Sequence, residues 1–459
     1  MSVHRRLLKA SLKKRRVKLS ATQIIAIGFA AIILLGAGLL TLPAASRSGV
    51  SCGFFPALFT ATSATCVTGL VLFDTYTQWS SFGQVVIITL IEIGGLGFMS
   101  AASTFVFLLR KKVGLRQKMV IAQALNLNDM DGVVKIQKLV LTGSLTIQGI
   151  GALILLLRFW PEYGFGRALA WGVFHAISAF CNAGFDLFGF IAPGQSLIVF
   201  NDDPIICLTL MALVTIGGLG FLVWEEMSRV RRFRDFSVYT KLVLLMTGAI
   251  LLIGTLGILL LEWNNPETIG NMPLWQKIMN AFFQTGTLRT AGFVTVDQLK
   301  LQDATKVFSI LIMFVGGSSG STAGGLKTVT ILVLLLFVWA KARGKESVHV
   351  FKRNIPAVKA VDAMTITFIT VLLSVFGGML ISAFSAASFL DAWYEAVSAI
   401  CTVGLSAAGT AGLGVVSQCI IIAFMYFGRV GILTLSLGFL LGNKAKDRFQ
   451  YADTNLLIG

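Results

Sequence analysis

The sequence predicts an all-α integral membrane protein made of four pseudo-symmetric helix–pore-loop–helix repeats around a central axis. Three observations lead to this fold class. First, 56% of the 459 residues are apolar and only 13% are charged. Second, eight apolar runs are long enough to cross a bilayer. Third, a motif that ends in glycine recurs four times along the chain. The prediction therefore comprises eight transmembrane helices and four re-entrant pore helices.

The eight apolar runs give the order of the spans. A bilayer core about 30 Å thick requires roughly 20 apolar residues per helix. The runs cover residues 24–42, 85–109, 139–157, 205–224, 242–261, 307–340, 364–383 and 419–441. The first run is too long for the core of a typical signal peptide, so we expect it to be retained. Since eight is an even number, both termini are expected on the same side.

The basic residues predict which side that is. Eight Lys and Arg residues precede the first run, and further clusters lie at 110–118, 229–234, 341–359 and 444–448. In the eight-span topology all of these segments face one side, and short loops rich in Lys and Arg remain in the cytoplasm. We therefore expect a multi-pass protein of the cell membrane with both termini cytoplasmic.

Composition also excludes several classes of function. The net charge of +17 is spread over loops instead of one soluble domain, so it indicates topology and attraction to anionic lipid, not nucleic-acid binding. The six cysteines form no CxxC pair, which argues against a disulfide framework or a metal site. We find no catalytic triad or cofactor motif, so we predict no cofactor and no enzymatic activity.

The repeat is defined by four similar segments. Each has an aromatic residue ten positions before a glycine and Leu or Phe directly after it. The anchor glycines are Gly69, Gly184, Gly292 and Gly404. A serine lies six positions before three of them, with Gly286 as the exception. Chance does not place four such matches in register, so we expect four structurally equivalent units.

A second glycine motif follows each anchor and completes the repeat. It reads IGGLGF at 93–98 and 216–221, and glycine-rich variants follow at 315–317 and 427–431. We interpret Gly94, Gly97, Gly217 and Gly220 as close-packing residues. The predicted segments are a basic segment at 1–20, repeats at 21–112, 113–234, 235–345 and 346–443, and a tail at 444–459.

The segment before each anchor glycine is a candidate ion filter. A helix of about ten residues, such as 56–65, cannot span a bilayer, so it must enter and return. Irregular backbone at that depth must be buried in protein or line water. Rings of backbone carbonyls select potassium, and glycine adopts the required backbone angles at low cost. The candidate filter residues include no carboxylate: Val67, Thr68, Gly69, Asn182, Ala183, Gly184, Thr290, Ala291, Gly292, Thr402, Val403 and Gly404. The alternative is that these glycines only permit close helix packing.

A run of ten small residues interrupts the sixth span. It consists of Gly316, Gly317, Ser318, Ser319, Gly320, Ser321, Thr322, Ala323, Gly324 and Gly325. Glycine costs about 1 kcal/mol per residue relative to alanine in a helix, so we predict a broken helix with a loop at mid-depth. Residues 320–328 imitate a phosphate-binding loop, but Leu326 separates Gly325 from Lys327, and we reject a nucleotide site there. Arg429 lies inside the last span and must find a partner or a cavity.

Together these motifs resemble the superfamily of Ktr, Trk and plant HKT transporters, and the four filter turns look especially like the Ktr membrane subunit. The resemblance implies potassium transport, a homodimer with one pore per protomer, and a separate cytoplasmic ring of nucleotide-binding RCK subunits. It also implies that loop 316–325 obstructs the pore beneath the filter and that Arg429 contacts it. Uptake stimulated by sodium is typical of Ktr systems. Glycine at all four anchors is the potassium-type pattern, whereas relatives with serine at the first favour sodium.

Several alternatives stay open at this stage. A proton-coupled or sodium-selective member of the superfamily fits the same motifs. A secondary transporter of an organic solute also has broken helices, although such folds usually show two repeats of several helices each. A membrane scaffold would leave the four turns unexplained. We interpret His175 and Glu395 as tethers of their half-helices, and Glu92 has no assigned role.

Overall fold

In the computed structural model, residues 21–97, 133–345 and 347–431 are described, and within them one long helix opens each repeat. These outer helices are Ala21–Thr41, Val133–Tyr163, Val238–Glu262 and Ala357–Ala383. Their apolar stretches are the ones in the described residues that are long enough to cross a membrane as single helices. Four of the eight predicted spans are thus confirmed as continuous helices.

A shorter pore helix follows each outer helix and packs against it. The pore helices are Phe54–Cys66, Phe165–Phe180, Leu274–Thr287 and Phe389–Ile400. At 1.5 Å per residue, lengths of 12 to 16 residues give about 18–24 Å, which is too short to span a bilayer core. The predicted re-entrant segments therefore exist, although they are longer than the ten residues expected.

The inner helices correct one prediction. They run over Ser81–Leu96, Pro204–Leu219, Asp303–Met313 and Val415–Val430. The first, second and fourth end at the same point of the second glycine motif. The second continues as Phe221–Arg229 after a bend of 94°, and the third continues as Thr328–Ala342 after a loop. The expectation that 205–224 forms one unbroken span is therefore wrong. The predicted interruption of the run 307–340 is present.

Single glycines at positive φ cause three of these breaks. Gly97, Gly220 and Gly431 have φ of 87°, 95° and 94°, a region that other residues enter only with strain. A helix cannot continue through such a residue, so the chain turns there. The interpretation of Gly97 as a packing residue is wrong, because a Cβ there would meet no described atom within 4 Å and the residue ends the inner helix. Gly220 ends its helix and also packs closely, since a Cβ there would lie 2.8 Å from the Ser319 carbonyl.

The glycine three positions earlier does pack closely. A Cβ atom on Gly94, Gly217 or Gly428 would overlap a pore-helix carbonyl of the same repeat. Those carbonyls belong to Thr65, Phe180 and Ile400, each four residues before its anchor glycine. The packing interpretation is confirmed for Gly94 and Gly217. Each of these inner helices thus crosses its pore helix directly behind the candidate filter.

Some of the predicted segments fall outside the described residues. They are the basic segments 1–20 and 110–118, the tail 444–459, and the second halves of the runs 85–109 and 419–441. Within the predicted basic loop 341–359, strands Val348–Val350 and Arg353–Ile355 form an antiparallel hairpin.

Candidate functional site

The four candidate filter segments share an unusual backbone conformation. Two residues before each anchor glycine, a non-glycine residue has φ between 53° and 67°. These residues are Val67, Asn182, Thr290 and Thr402. The anchor glycines that follow also have positive φ, from 70° to 102°. Left-handed backbone costs a non-glycine residue about 1–2 kcal/mol, and such strain concentrates at functional sites. The same strained conformation occurs at the same position in all four repeats.

The anchor glycines close into a ring in chain order. A Cβ on Gly69 would lie 2.7 Å from the carbonyl oxygen of Ala183, and one on Gly184 would lie 2.8 Å from that of Ala291. A Cβ on Gly292 would lie 3.0 Å from the carbonyl oxygen of Val403.

A Cβ on Gly404 would overlap the carbonyl oxygen of Thr68, which completes the circle. Each glycine thus faces the carbonyl that precedes another anchor. Because no side chain fits at these four positions, the ring is lined by backbone atoms.

Hydroxyl groups of the pore helices hold the ends of the filter segments. Ser63 Oγ accepts a hydrogen bond from Gly69 N, and Ser398 Oγ accepts one from Gly404 N, both at 3.1 Å. Ser178 Oγ instead donates to the Phe185 carbonyl at 2.7 Å. The third repeat has Gly286 in place of the serine. There the hydroxyl of the next residue, Thr287, donates to the Phe293 carbonyl, also at 2.7 Å. The turns are therefore fixed by short local bonds in every repeat.

Polar side chains in the second half of the pore helices tether the chain beyond the filter. His175 Nε2 accepts from Leu187 N at 3.0 Å, and its Nδ1 lies 2.7 Å from the Trp171 carbonyl. Since Nε2 must accept, Nδ1 carries the proton and donates. Glu395 accepts from Thr410 Oγ1. These contacts agree with the interpretation of His175 and Glu395 as tethers, and in the third repeat a Gln284–Gln298 pair occupies the corresponding place.

Two carboxylates lie in the loops beyond the first two filter segments. Asp74 accepts from Thr77 N and from Gly194 N, which joins the loops of two repeats. Asp186 accepts from Ser196 Oγ at 2.7 Å. Burial raises the pKa of Asp186 to about 6, although the hydrogen bond from Ser196 opposes this, and the Asp74 carboxylate raises it further. The sequence analysis assigned no role to Asp74 or Asp186. The signal that could have identified Asp186 is its position directly after Phe185, the residue that follows an anchor glycine.

The loop 316–325 lies beneath the filter and is held by the second repeat. Ser318 N donates to the Gly218 carbonyl at 3.0 Å, and Thr322 Oγ1 donates to the Phe180 carbonyl and to Asn182 Oδ1, also at 3.0 Å. Ser318 and Thr322 are fully buried. The loop thus touches a filter residue directly.

The fourth repeat and the third outer helix also contact the loop. A Cβ on Gly324 would overlap Thr402 Oγ1, and one on Gly325 would lie 3.4 Å from the Cys401 carbonyl. From the other side, the Tyr239 hydroxyl donates to the Ser319 carbonyl at 3.1 Å. The loop is therefore enclosed between two filter segments and a helix.

Arg429 joins this loop to the end of the first inner helix. Its guanidinium donates to the Thr322 carbonyl of the loop, and to the carbonyls of Gly94 and, at 3.1 Å, Gly95. The last carbonyls of a helix have no partner inside the helix, and they carry partial negative charge. The break at Gly97 therefore creates the acceptors that a buried guanidinium requires.

A large cavity opens on the side of the loop away from the filter. Its volume is about 1550 Å³, and its lining includes Glu225, Arg229, Lys327, Asp362 and Arg429 together with the loop itself. Lys327 Nζ donates to the Ala323 carbonyl at 2.9 Å, so a second cation holds the loop. Sequence reasoning treated Lys327 only as part of a false phosphate-binding motif.

Glu92, which had no assigned role, connects two repeats. It accepts from Gln148 Nε2 at 3.0 Å and from Cys181 Sγ at 3.2 Å. It thus links the first inner helix to the second outer helix and to the base of the second filter segment.

Comparisons with known proteins agree with this arrangement. The family model described as TrkH, cation transport protein, matches residues 5–447. The chain is 40% identical to the potassium/sodium uptake protein NtpJ of Enterococcus hirae, over 98% of this chain and 99% of that protein. It is 39% identical to the Ktr system potassium uptake protein B of Bacillus subtilis, over 96% of this chain and 98% of that protein.

A solved structure shares the fold. The potassium transporter TrkH from Vibrio parahaemolyticus superimposes with a TM-score of 0.70 at 18% identity, covering 94% of this chain and 86% of that one. The pore-loop repeats predicted from the sequence thus have a structural counterpart.

Proposed function

Because the chain belongs to the TrkH family of cation transport proteins, we propose that it takes up potassium across the cell membrane through the ring formed by its four filter segments. The family is one of transporters, which agrees with the expectation that the chain is not an enzyme. The similarity to uptake proteins named for potassium over nearly the full length supports the choice of ion.

The observation that carries this proposal is the closure of the glycine ring. Four anchors with positive φ face the carbonyls of Thr68, Ala183, Ala291 and Val403, and a Cβ at any anchor would strike a neighbouring segment. Carbonyl rings replace the hydration shell of potassium. The filter residues contain no carboxylate, so a ring of acidic side chains is not the source of selectivity.

The loop 316–325 is the proposed gate. It lies between the filter and the large cavity, and it is bound by Arg429 and Lys327. Ions that leave the filter toward the cavity would meet this loop. Release of the loop from its contacts would open the path.

The assembly is proposed from the resemblance to Ktr systems. The chain would form a homodimer in the cell membrane with both termini cytoplasmic. A separate RCK-type ring would bind nucleotide and act on the gate, and sodium would stimulate uptake. Purified without a ring, the chain should not bind ATP, ADP or NADH at micromolar concentrations. Stoichiometric binding measured by calorimetry would contradict this division of roles.

A sodium-transporting variant is the second candidate, because one relative is named for both potassium and sodium uptake. The variant Gly69→Ser tests whether the ring discriminates potassium from sodium. A serine Cβ would meet the Ala183 carbonyl at 2.7 Å and disturb one quarter of the ring. We expect weaker discrimination of potassium against sodium in competitive uptake by liposomes.

Gly38→Ser provides the matched control, since a Cβ on Gly38 meets nothing within 4 Å. It should leave the ratio of potassium to sodium uptake unchanged. A wild-type protein that carries sodium and not potassium would favour the second candidate. An unchanged ratio in a folded Gly69→Ser variant would contradict the filter assignment.

A further inference from the structure

The third filter segment differs from the other three behind the ring. Three residues before the anchor, the first, second and fourth repeats have a buried cysteine. These are Cys66, Cys181 and Cys401, and the third repeat has Arg289. The same repeat has glycine where the others have serine, at Gly286. The pseudo-symmetric ring therefore has one positively charged quarter.

Gly286 and Arg289, the two residues that distinguish the third repeat, lie close together. A Cβ on Gly286 would overlap the side chain of Met211, so this glycine lets the second inner helix approach. Gly286, Arg289 and Asn182 line one small cavity between the second and third repeats. Arg289 thus lies beside two neighbouring filter segments at once.

The charge of Arg289 has almost no structural partner. Its side chain is buried, Nη2 donates weakly to Thr247 Oγ1 at 3.4 Å, and Nε has no hydrogen bond. Within residues 21–97, 133–345 and 347–431, none of the ion pairs includes Arg289. Arg429, by comparison, donates to three carbonyls. An unpaired buried cation is expensive, and the contacts of Arg289 do not offset that cost.

We propose that Arg289 is a specificity-determining residue that acts through its field as a fixed positive charge behind the filter. The inference rests on the proposed function, since it concerns cations held in the ring. The charge weakens the binding of every cation there and so speeds its release. The repulsion is proportional to the charge of the ion, so a divalent cation is disfavoured twice as strongly in free energy as potassium. Burial keeps salt from screening this field.

The way in which the effect of neutralising Arg289 scales with the charge of the ion distinguishes an electrostatic role of this residue from a structural one. If neutralising Arg289 tightens binding of a monovalent ion about threefold, it should tighten binding of a divalent ion of similar size about tenfold, which is roughly the square. A change that only distorts the ring has no reason to follow this relation.

The test uses purified full-length protein in liposomes, with Rb⁺ uptake as the flux and Ba²⁺ as the divalent probe. Arg289→Gln should lower the half-saturating Rb⁺ concentration about threefold and the half-inhibiting Ba²⁺ concentration about tenfold. Arg289→Lys retains the charge and should keep both values near those of the wild type.

Two further variants keep the test decisive. Thr247→Asp places a carboxylate beside the guanidinium without touching Arg289, and it should shift both values in the same direction as Arg289→Gln. Met211→Leu alters packing at the same place without a change of charge, and its ratio of Ba²⁺ to Rb⁺ values should match the wild type.

The outcomes are distinguishable. No Rb⁺ flux in the wild-type protein would overturn the proposed function and this inference with it. Normal wild-type flux with an unchanged Ba²⁺ to Rb⁺ ratio in Thr247→Asp and in folded Arg289→Gln would overturn the inference alone. Equal shifts for both ions would assign Arg289 a packing role and also overturn it.

Discussion

The second inner helix is interrupted at Gly220 alone and resumes at Phe221, whereas the third stops at Met313 and does not resume until Thr328. The helix ends before Gly97 and Gly220 leave carbonyls that accept hydrogen bonds from other groups: Arg429 donates to Gly94 and Gly95, and Ser318 N donates to Gly218. The long break supplies the chain that fills the space beneath the ring.

This difference shows how a repeated scaffold yields one specialised element. The fold already interrupts the second inner helix, so a longer interruption in the third requires no new architecture. The small residues of loop 316–325 pack closely against two neighbouring repeats, and Gly316, Gly317 and Gly324 have no room for a Cβ. We infer that the proposed gate is the extended form of the break that the second repeat keeps short.

The largest expected effect comes from removing the extension. Deleting residues 318–323 would leave Gly316, Gly317, Gly324 and Gly325 as a short turn. The parallel bridge between Val315 and Leu326 brings its two ends together. The third break would then approach the length of the break at Gly220. We expect flux through liposomes to rise tenfold or more and to lose its dependence on a ring subunit, since about 1.4 kcal/mol of closed-state stabilisation is one factor of ten.

A variant that replaces 318–323 with six Gly and Ser residues controls for the deletion. It keeps the length and removes the contacts of Thr322, so it should give a smaller increase. Low flux in correctly folded protein with the deletion would mean that the loop is a packing element and not a gate.

Arg429→Ala should have the next largest effect. It removes a charged donor shared by the loop and by the first helix end, and hydrogen bonds to charged groups contribute about 1.5–3 kcal/mol. We expect roughly tenfold higher flux and a lower melting temperature, because buried carbonyls lose their donor. Arg429→Lys keeps the positive charge on a single ammonium group, so its flux should lie between those of the wild type and Arg429→Ala. Combined with the deletion, Arg429→Ala should add little, since contacting residues are not additive. Fully additive flux changes would separate Arg429 from the gate.

The sequence predicted much of this comparison, and the missing part has a physical reason. The four anchors, the outer helices and the break at 316–325 follow from apolar length, glycine spacing and helix propensity, which are local properties. The breaks at Gly97 and Gly220 were missed because a glycine that packs and a glycine that turns the chain look alike without φ. The contacts of Ser318 with Gly218, of Thr322 with Asn182 and of Arg429 with Gly95 depend on which repeats become neighbours, and that information is not local.

Gly220→Ala and Gly97→Ala compare two glycines that end inner helices. Both variants place alanine at φ near 90°, which costs about 1–2 kcal/mol or more. The added Cβ of Gly220→Ala would lie 2.8 Å from the Ser319 carbonyl, whereas that of Gly97→Ala meets nothing within 4 Å. We expect both to lower the melting temperature similarly and only Gly220→Ala to raise flux, about three- to fivefold, because a shift below 1 kcal/mol changes an equilibrium by that factor. Equal flux in the two variants would show that the second break does not support the loop.

The smallest expected effect tests the contact between the loop and the third outer helix. The Tyr239 hydroxyl donates to the Ser319 carbonyl, and a neutral hydrogen bond contributes about 0.5–1.5 kcal/mol net. Tyr239→Phe removes this bond and keeps the ring, so flux should rise about two- to fivefold while the fold is retained.

Tyr426→Phe is the matched control, since its hydroxyl donates to the Ala26 carbonyl at 2.8 Å, away from the loop. That variant should lose similar thermal stability without a change in flux. If both tyrosine variants raised flux equally, general loosening of the helices would explain the gain, and the outer helix would have no specific hold on the long break.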